Sequence, residues 1–146
     1  MPGVTNKILA RFVKKVFLGY REAEKYFTGK SRKIYTGNPI RSEILSNKRS
    51  EAVKFFGLDP EKQTILVSGG SRGAQSINKA MLYVEQALSG RHDVQVLHAT
   101  GEANYEEYIK ELNKKGSVED NIGVKPYLHD MPMALAAADL AVFRAG

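Results

Sequence analysis

The segment that most restricts this chain is Thr64-Ile-Leu-Val-Ser-Gly-Gly-Ser-Arg-Gly-Ala-Gln-Ser-Ile-Asn78. An apolar run, Ile65-Leu66-Val67, breaks at Gly69-Gly70-Ser71-Arg72-Gly73-Ala74 and passes into a helical pattern of Ile77, Ala80, Met81, Val84, Ala87 and Leu88. That order predicts a strand, a glycine loop and an amphipathic helix. Unpaired N–H groups and partial positive charge at a helix N-terminus attract phosphate, and glycines bring the backbone close to an anion. Ser71 adds a hydroxyl and Arg72 a full charge. Two readings of the loop stand at this point: a phosphate or diphosphate subsite, and a tight strand-to-helix turn. The segment is not a P-loop, because no Gly-Lys-Ser/Thr follows at the required spacing. Its glycines, at 69, 70 and 73, also do not follow the G-x-G-x-x-G dinucleotide fingerprint.

Further apolar runs follow in alternation with helical patterns. They predict strands at 94–98, 122–126 and 140–143, and helices at 102–114 and 131–138. Strands of four to six residues alternating with helices imply βαβ units and a parallel sheet with flanking helices, an α/β fold. In such a sheet ligands sit beyond the carboxyl ends of the strands. Here those ends are 68–74, 99–101, 127–130 and 144–146.

The first third of the chain has a different character. Residues 1–50 hold 12 Lys or Arg against 3 Asp or Glu, whereas residues 51–146 hold 10 against 13. A basic part thus precedes a mildly acidic one, which suggests different neighbours for each: an anionic membrane surface, nucleic acid or phosphorylated ligands. Ile8, Leu9, Phe12, Val13 and Val16 fall at helical spacing, with Lys7, Arg11, Lys14 and Lys15 mostly off that face, and Thr5 or Asn6 is placed to cap the helix. Short strands are expected at 16–20 and 33–36, with a brief helix between them at 21–27. Gly37-Asn38-Pro39 is the clearest break, a domain hinge with Arg41 just beyond it. A helix at 50–56, closed by Gly57, leads to the loop before the first core strand.

Several chemistries find no support. The chain has no cysteine, hence neither disulfides nor thiolate metal sites. His92, His98 and His129 lack metal-ligand spacing; His98, ending an apolar run, reads as a satisfied core or rim histidine. His129-Asp130 is adjacent in sequence, which does not make an acid/base pair. Glu102, Glu106, Glu107 and Glu111, with Lys110, Lys114 and Lys115, read as a solvated helix face. No apolar run reaches the ~20 residues of a membrane-spanning helix.

Five segments together resemble one family. They are Pro2-Gly-Val-Thr-Asn-Lys7, Gly37-Asn-Pro-Ile-Arg41, Gly69-Gly-Ser-Arg-Gly-Ala74, Tyr127-Leu-His-Asp-Met131 and Ala138-Asp-Leu-Ala-Val-Phe-Arg-Ala-Gly146. Their order and spacing are similar to those of the MurG family, the N-acetylglucosaminyltransferases that complete lipid II in peptidoglycan synthesis. The resemblance implies a GT-B arrangement of two Rossmann-like domains. It also implies transfer of GlcNAc from UDP-GlcNAc to the lipid-linked MurNAc-pentapeptide (lipid I), with no metal and no cofactor. Residues 1–40 would then be the end of the N-terminal acceptor domain with the hinge, and 41–146 the first part of the UDP-sugar-binding domain. Arg41, Ser71 and Leu128, the last through its backbone, would contact the donor, together with Gly69, Gly70, Arg72, Gly73 and Arg144. Arg72 stands where the family usually carries Gln.

Lys7, Arg11 and Lys14 would face anionic lipid at the cytoplasmic side of the bacterial membrane, where such an enzyme is peripheral; no nucleic acid partner is expected. The catalytic residues are expected outside this chain, so the 146 residues alone are expected to be inactive and to retain at most UDP affinity. The competing readings are another sugar-nucleotide enzyme of the same architecture, such as a UDP-GlcNAc epimerase, and a non-enzymatic basic module that binds membrane or nucleic acid.

Overall fold

The computed structural model describes residues 2–40, 42–116 and 118–144. The chain divides into two compact units, Met1–Ser42 and Glu43–Gly146. In the first, helix α1 (Val4–Leu9) is followed by strand β1 (Lys15–Leu18), a 3-10 helix (Arg21–Tyr26) and strand β2 (Arg32–Tyr35). The two strands pair in parallel, Lys15 opposite Arg32 through Leu18 opposite Tyr35. The N-terminal helix is shorter than its apolar spacing predicts. It is capped by Gly3, not Thr5 or Asn6, and ends at Leu9, so Phe12 and Val13 lie beyond it and Val16 belongs to β1. A six-residue helix with no buried residue has little packing to extend it.

The second unit holds helices α2 (Glu43–Ser46) and α3 (Arg49–Phe56), followed by β3 (Gln63–Ser68), α4 (Gln75–Leu88), β4 (Val94–Ala99), α5 (Glu102–Lys114), β5 (Ile122–Lys125), α6 (Met131–Ala137) and β6 (Leu140–Phe143). The short α2 is not anticipated by the sequence pattern. Gly57 ends α3 in the left-handed conformation (φ 66°), as the sequence predicts. The four strands form one parallel sheet in the order β5-β4-β3-β6. This is the expected Rossmann-like α/β architecture.

Alternation along the central strands sorts two cores. Val67 and Val96 pack on one face with Met81 of α4 and with Tyr108 and Leu112 of α5. Leu66, Leu97 and Ala99 pack on the other with Leu128 and Ala134, while Ala52 and Val53 of α3 meet Ala137 of α6. Both faces are covered, which is why these strands read as continuous apolar runs. At the amino end of the sheet the Asp139 carboxylate accepts a hydrogen bond from Thr64 N (2.7 Å) and pairs with Arg49 (3.2 Å), fixing the start of β6 against β3.

The face that α4 buries differs from the one its apolar spacing suggests. Asn78, Met81 and Glu85 are buried, with Ile77, Leu82 and Leu88 partly so, while Ala80, Val84 and Ala87 are exposed. The polar pair is drawn inward because β4 presents His98, an imidazole that needs partners away from water.

Candidate functional site

Strands β3, β4 and β5 are laid down in sequence toward one edge, and β6 then joins the opposite side of β3. The strand order therefore reverses between β3 and β6, and the crevice beyond their carboxyl ends is the favoured ligand position in an open parallel sheet. Two features meet there: the glycine loop that leaves β3, and Arg144, which directly follows β6.

The loop is fixed at both ends and open in the middle. Gly69 and Gly73 are buried, while Gly70, Ser71 and Arg72 are exposed. Gly70 and Gly73 take positive φ (87° and 71°), and Gly73 N donates to the Gly70 carbonyl (2.8 Å), closing the turn. A Cβ at Gly69 would collide with Ala74, and one at Gly73 with the Thr100 carbonyl. The β4–α5 loop is packed as tightly, since a Cβ at Gly101 would stand 2.6 Å from Gly73 N. Two amides tie the loops together. Asn104 Nδ2 donates to the carbonyls of Arg72 (3.0 Å) and Thr100 (3.2 Å), and Asn78 Nδ2 donates to that of Thr100 (2.9 Å).

Helix α4 opens beside this loop at Ala74, with no side chain capping its first amides. The dipole of a 14-residue helix is thus left available at the exposed crown. The Arg144 guanidinium comes within 3.9 Å of the position a Cβ at Gly70 would occupy, which puts its charge over the same crown. Amides, helix end, hydroxyl and guanidinium together suit an anion.

Of the other residues expected at the site, Leu128 is 4% exposed and belongs to the core cluster of Leu66 and Leu97, so its side chain is not presented to a ligand. Arg41 lies outside the described residues, as do Ala145 and Gly146. Asp130 is not an acid/base partner of His129. Its carboxylate caps α6, accepting from Met133 N (3.0 Å), while His129 packs edge-on against Tyr127. In the first unit the Lys7 ammonium lies 5.5 Å from the centre of the Tyr26 ring, whereas Arg11 and Lys14 are exposed next to Phe12, which is 81% exposed.

The sequence reading places His98 correctly as a satisfied residue but does not identify its partners. Glu85 Oε1 lies 2.7 Å from Nδ1, and Asn78 Oδ1 lies 3.3 Å from Nε2. The Tyr108 hydroxyl donates to Glu85 Oε2 (2.7 Å), and burial together with the neighbouring Glu85 carboxyl pushes its pKa far up, so it remains a donor. The available signal was the i, i+7 spacing of Asn78 and Glu85, which places two polar groups on the inward face of an amphipathic helix. Among the described residues, no three His, Asp or Glu side chains are grouped as a metal site would require. No helix among them is long and apolar enough to cross a membrane.

Comparison with known proteins gives the family and the fold. Among curated proteins, the chain is 44% identical over 146 residues to the UDP-N-acetylglucosamine--N-acetylmuramyl-(pentapeptide) pyrophosphoryl-undecaprenol N-acetylglucosamine transferase of Bacillus subtilis (strain 168), covering 100% of this chain and 39% of that protein. It is 47% identical over 148 residues to the transferase of the same name from Desulfitobacterium hafniense (strain Y51), covering 100% and 40%. The chain thus spans about two fifths of the length of the relatives it matches. Among solved structures, the crystal structure of Acinetobacter baumannii MurG shares the fold with a TM-score of 0.61 at 22% identity, over 99% of this chain and 38% of that one. The family model described as the glycosyltransferase family 28 C-terminal domain matches residues 64–146, the stretch that carries the glycine loop, the β4–α5 loop and Arg144. By that match the chain belongs to glycosyltransferase family 28.

Proposed function

We propose that this chain is the donor-binding portion of an N-acetylglucosaminyltransferase of GT-B architecture. The whole enzyme moves GlcNAc from UDP-GlcNAc to undecaprenyl-pyrophosphoryl-MurNAc-pentapeptide, forming lipid II at the cytoplasmic face of the membrane. The names of the relatives supply the reaction. The observation that carries the reading is the exposed Gly70-Ser71-Arg72 crown at the β3/β6 reversal, with Arg144 beside it.

Glycosyl transfer from UDP-GlcNAc breaks the bond between the sugar C1 and the β-phosphate oxygen, leaving UDP with added negative charge. Amides of Gly70 to Gly73, the N-terminus of α4 and Arg144 supply fixed positive potential where that charge develops. The Ser71 hydroxyl donates to a phosphate oxygen. Arg72 adds long-range attraction, and its carbonyl, held by Asn104, sets the height of the crown. Leu128 offers its main chain to the uracil. Arg41, following Gly-Asn-Pro-Ile, contributes a second cation to the donor. The acceptor and the residues that activate its hydroxyl belong to the remainder of the enzyme.

NMR titration of the 146-residue chain with UDP-GlcNAc tests the donor site. Shifts are expected at residues 69–74 and 127–130. A folded sample whose spectrum stays unchanged at millimolar ligand would rule the reading out.

In the first unit, Arg11 and Lys14 next to exposed Phe12 provide a contact for anionic lipid, with Lys7 held back against Tyr26. Replacing Arg11 and Lys14 by Gln should weaken binding to phosphatidylglycerol vesicles by about 1 kcal/mol per residue. Equal binding by the variant would exclude this surface.

A further inference from the structure

The group of side chains beneath the two ligand-facing loops has a hydrogen-bonding order that geometry determines. Glu85 and His98 are fully buried, Tyr108 is 4% exposed and Asn78 5%. The Thr100 carbonyl can only accept, so Asn78 must turn its NH2 toward it, at 2.9 Å. Asn78 Oδ1 then faces His98 Nε2 at 3.3 Å, which requires Nε2 to carry a proton. At the opposite ring nitrogen, one further proton is shared between Nδ1 and Glu85 Oε1 (2.7 Å), while Tyr108 donates to Oε2. The bonds connect, in order, the Tyr108 hydroxyl, Glu85, His98, Asn78 and the Thr100 carbonyl. That carbonyl is the surface on which Gly73 rests, so closely that no Cβ would fit between them.

We propose that Glu85, His98 and Asn78 are positioning residues for the glycine loop. By holding the Thr100 peptide in one orientation they set where the amides of Gly70 to Gly73 stand, and hence how tightly a nucleoside diphosphate is held. None of the three reaches the ligand. The inference rests on the donor-site reading above and adds to it the machinery on the far side of the loop. A purely structural role would make these residues interchangeable with well-packed apolar ones. A positioning role requires the donor at Nε2 and the amide of Asn78.

Two nearly isosteric variants separate these possibilities. Asn78→Asp keeps an acceptor toward His98 Nε2 but faces the Thr100 carbonyl with an oxygen. Glu85→Gln can accept from Tyr108 through its oxygen and donate to Nδ1 through its amide, so Nε2–H and the rest of the chain survive. UDP binding by calorimetry should weaken about tenfold in Asn78→Asp and stay within about twofold of the parent in Glu85→Gln. Amide exchange at Gly73, whose N–H closes the turn onto Gly70, should quicken in the first variant only. An Asn78→Asp protein that folds, binds UDP as the parent does and keeps Gly73 protected would overturn the proposal. Should that variant fail to fold, the parent protein still decides it: a long-range proton–nitrogen spectrum must show His98 Nε2 protonated, and a bare Nε2 defeats the assignment. If the parent itself does not bind UDP, the donor-site reading fails, and Gly73 exchange in Asn78→Asp continues to test the positioning role alone.

Discussion

Strands β1 and β2 pair in parallel just as β3 and β4 do, yet Phe17 in β1 is 64% exposed whereas Leu66 in β3 is fully buried. Both are apolar residues in runs that read as strands. The difference lies in what covers them within their own unit. Four strands with helices on both faces enclose β3 and β4. The two-stranded ladder of the first unit, with a six-residue α-helix and a six-residue 3-10 helix, leaves Val4, Ile8, Leu9, Phe12 and Phe17 open. A parallel ladder gains stability from burial on both faces, more than from its hydrogen bonds. The comparison separates apolar residues that fold a unit from apolar residues that remain available to a partner.

The largest test of that contrast is in the cores. Leu66→Ala should destabilise the second unit by about 2–5 kcal/mol, because its site is enclosed and cannot collapse, while Phe17→Ala should cost under about 1 kcal/mol in the first. Chemical denaturation of each variant, with a probe in each unit, measures both. Equal costs would mean that Phe17 is as enclosed as Leu66.

A sharper version uses two glycines with the same backbone angle. Gly37 and Gly73 both have φ 71°, but a Cβ at Gly37 meets nothing within 4 Å and one at Gly73 runs into the Thr100 carbonyl. Gly37→Ala should cost only the left-handed strain, about 1–2 kcal/mol. Gly73→Ala adds overpacking of a further 1–3 kcal/mol or so and pushes the two loops apart, so UDP binding should fall with it. Thermal melting and UDP calorimetry on both variants check the pair; intact UDP binding in Gly73→Ala would separate the loop from the ligand.

The remaining effect is electrostatic. The hydrogen bond from Thr64 N lowers the pKa of Asp139, and Arg49 lowers it further. A carboxyl depressed in the folded state contributes stability above its unfolded value, near 3.9, and loses it as pH falls through the lower folded value. The second unit should therefore lose part of its stability between about pH 4 and the folded pKa in acid titration. Asp139→Ala should remove that dependence and cost about 1–3 kcal/mol at neutral pH, since the buried Thr64 N–H loses its acceptor. An unchanged acid limb in Asp139→Ala would exclude it as the source.

Most of the second unit was legible from its pattern. The α5 and β6 limits coincide with the apolar spacing, and those of β3, β4, β5 and α6 differ only at their ends, because the period of the apolar residues selects the element type, even in β6, which stays exposed along its length. The glycine loop was legible too, since its composition leaves few conformations open. The first helix was not: Ile8, Leu9, Phe12 and Val13 share a helical period, but all four stay exposed, and the helix stops at Leu9. Periodicity describes which face can be buried and does not supply the surface that buries it.

The sequence by itself determined the parallel α/β architecture and the strand–glycine loop–helix at its centre, because alternation, helical period and glycine placement are local properties of the chain. Only the tertiary structure decided that β6 joins the far side of β3 and brings Arg144 to Gly70, and that Glu85 turns inward to meet His98 across thirteen residues. A strand can be recognised before its neighbour is known, and a buried carboxyl cannot be, since its low-energy partner is supplied by a segment elsewhere in the chain.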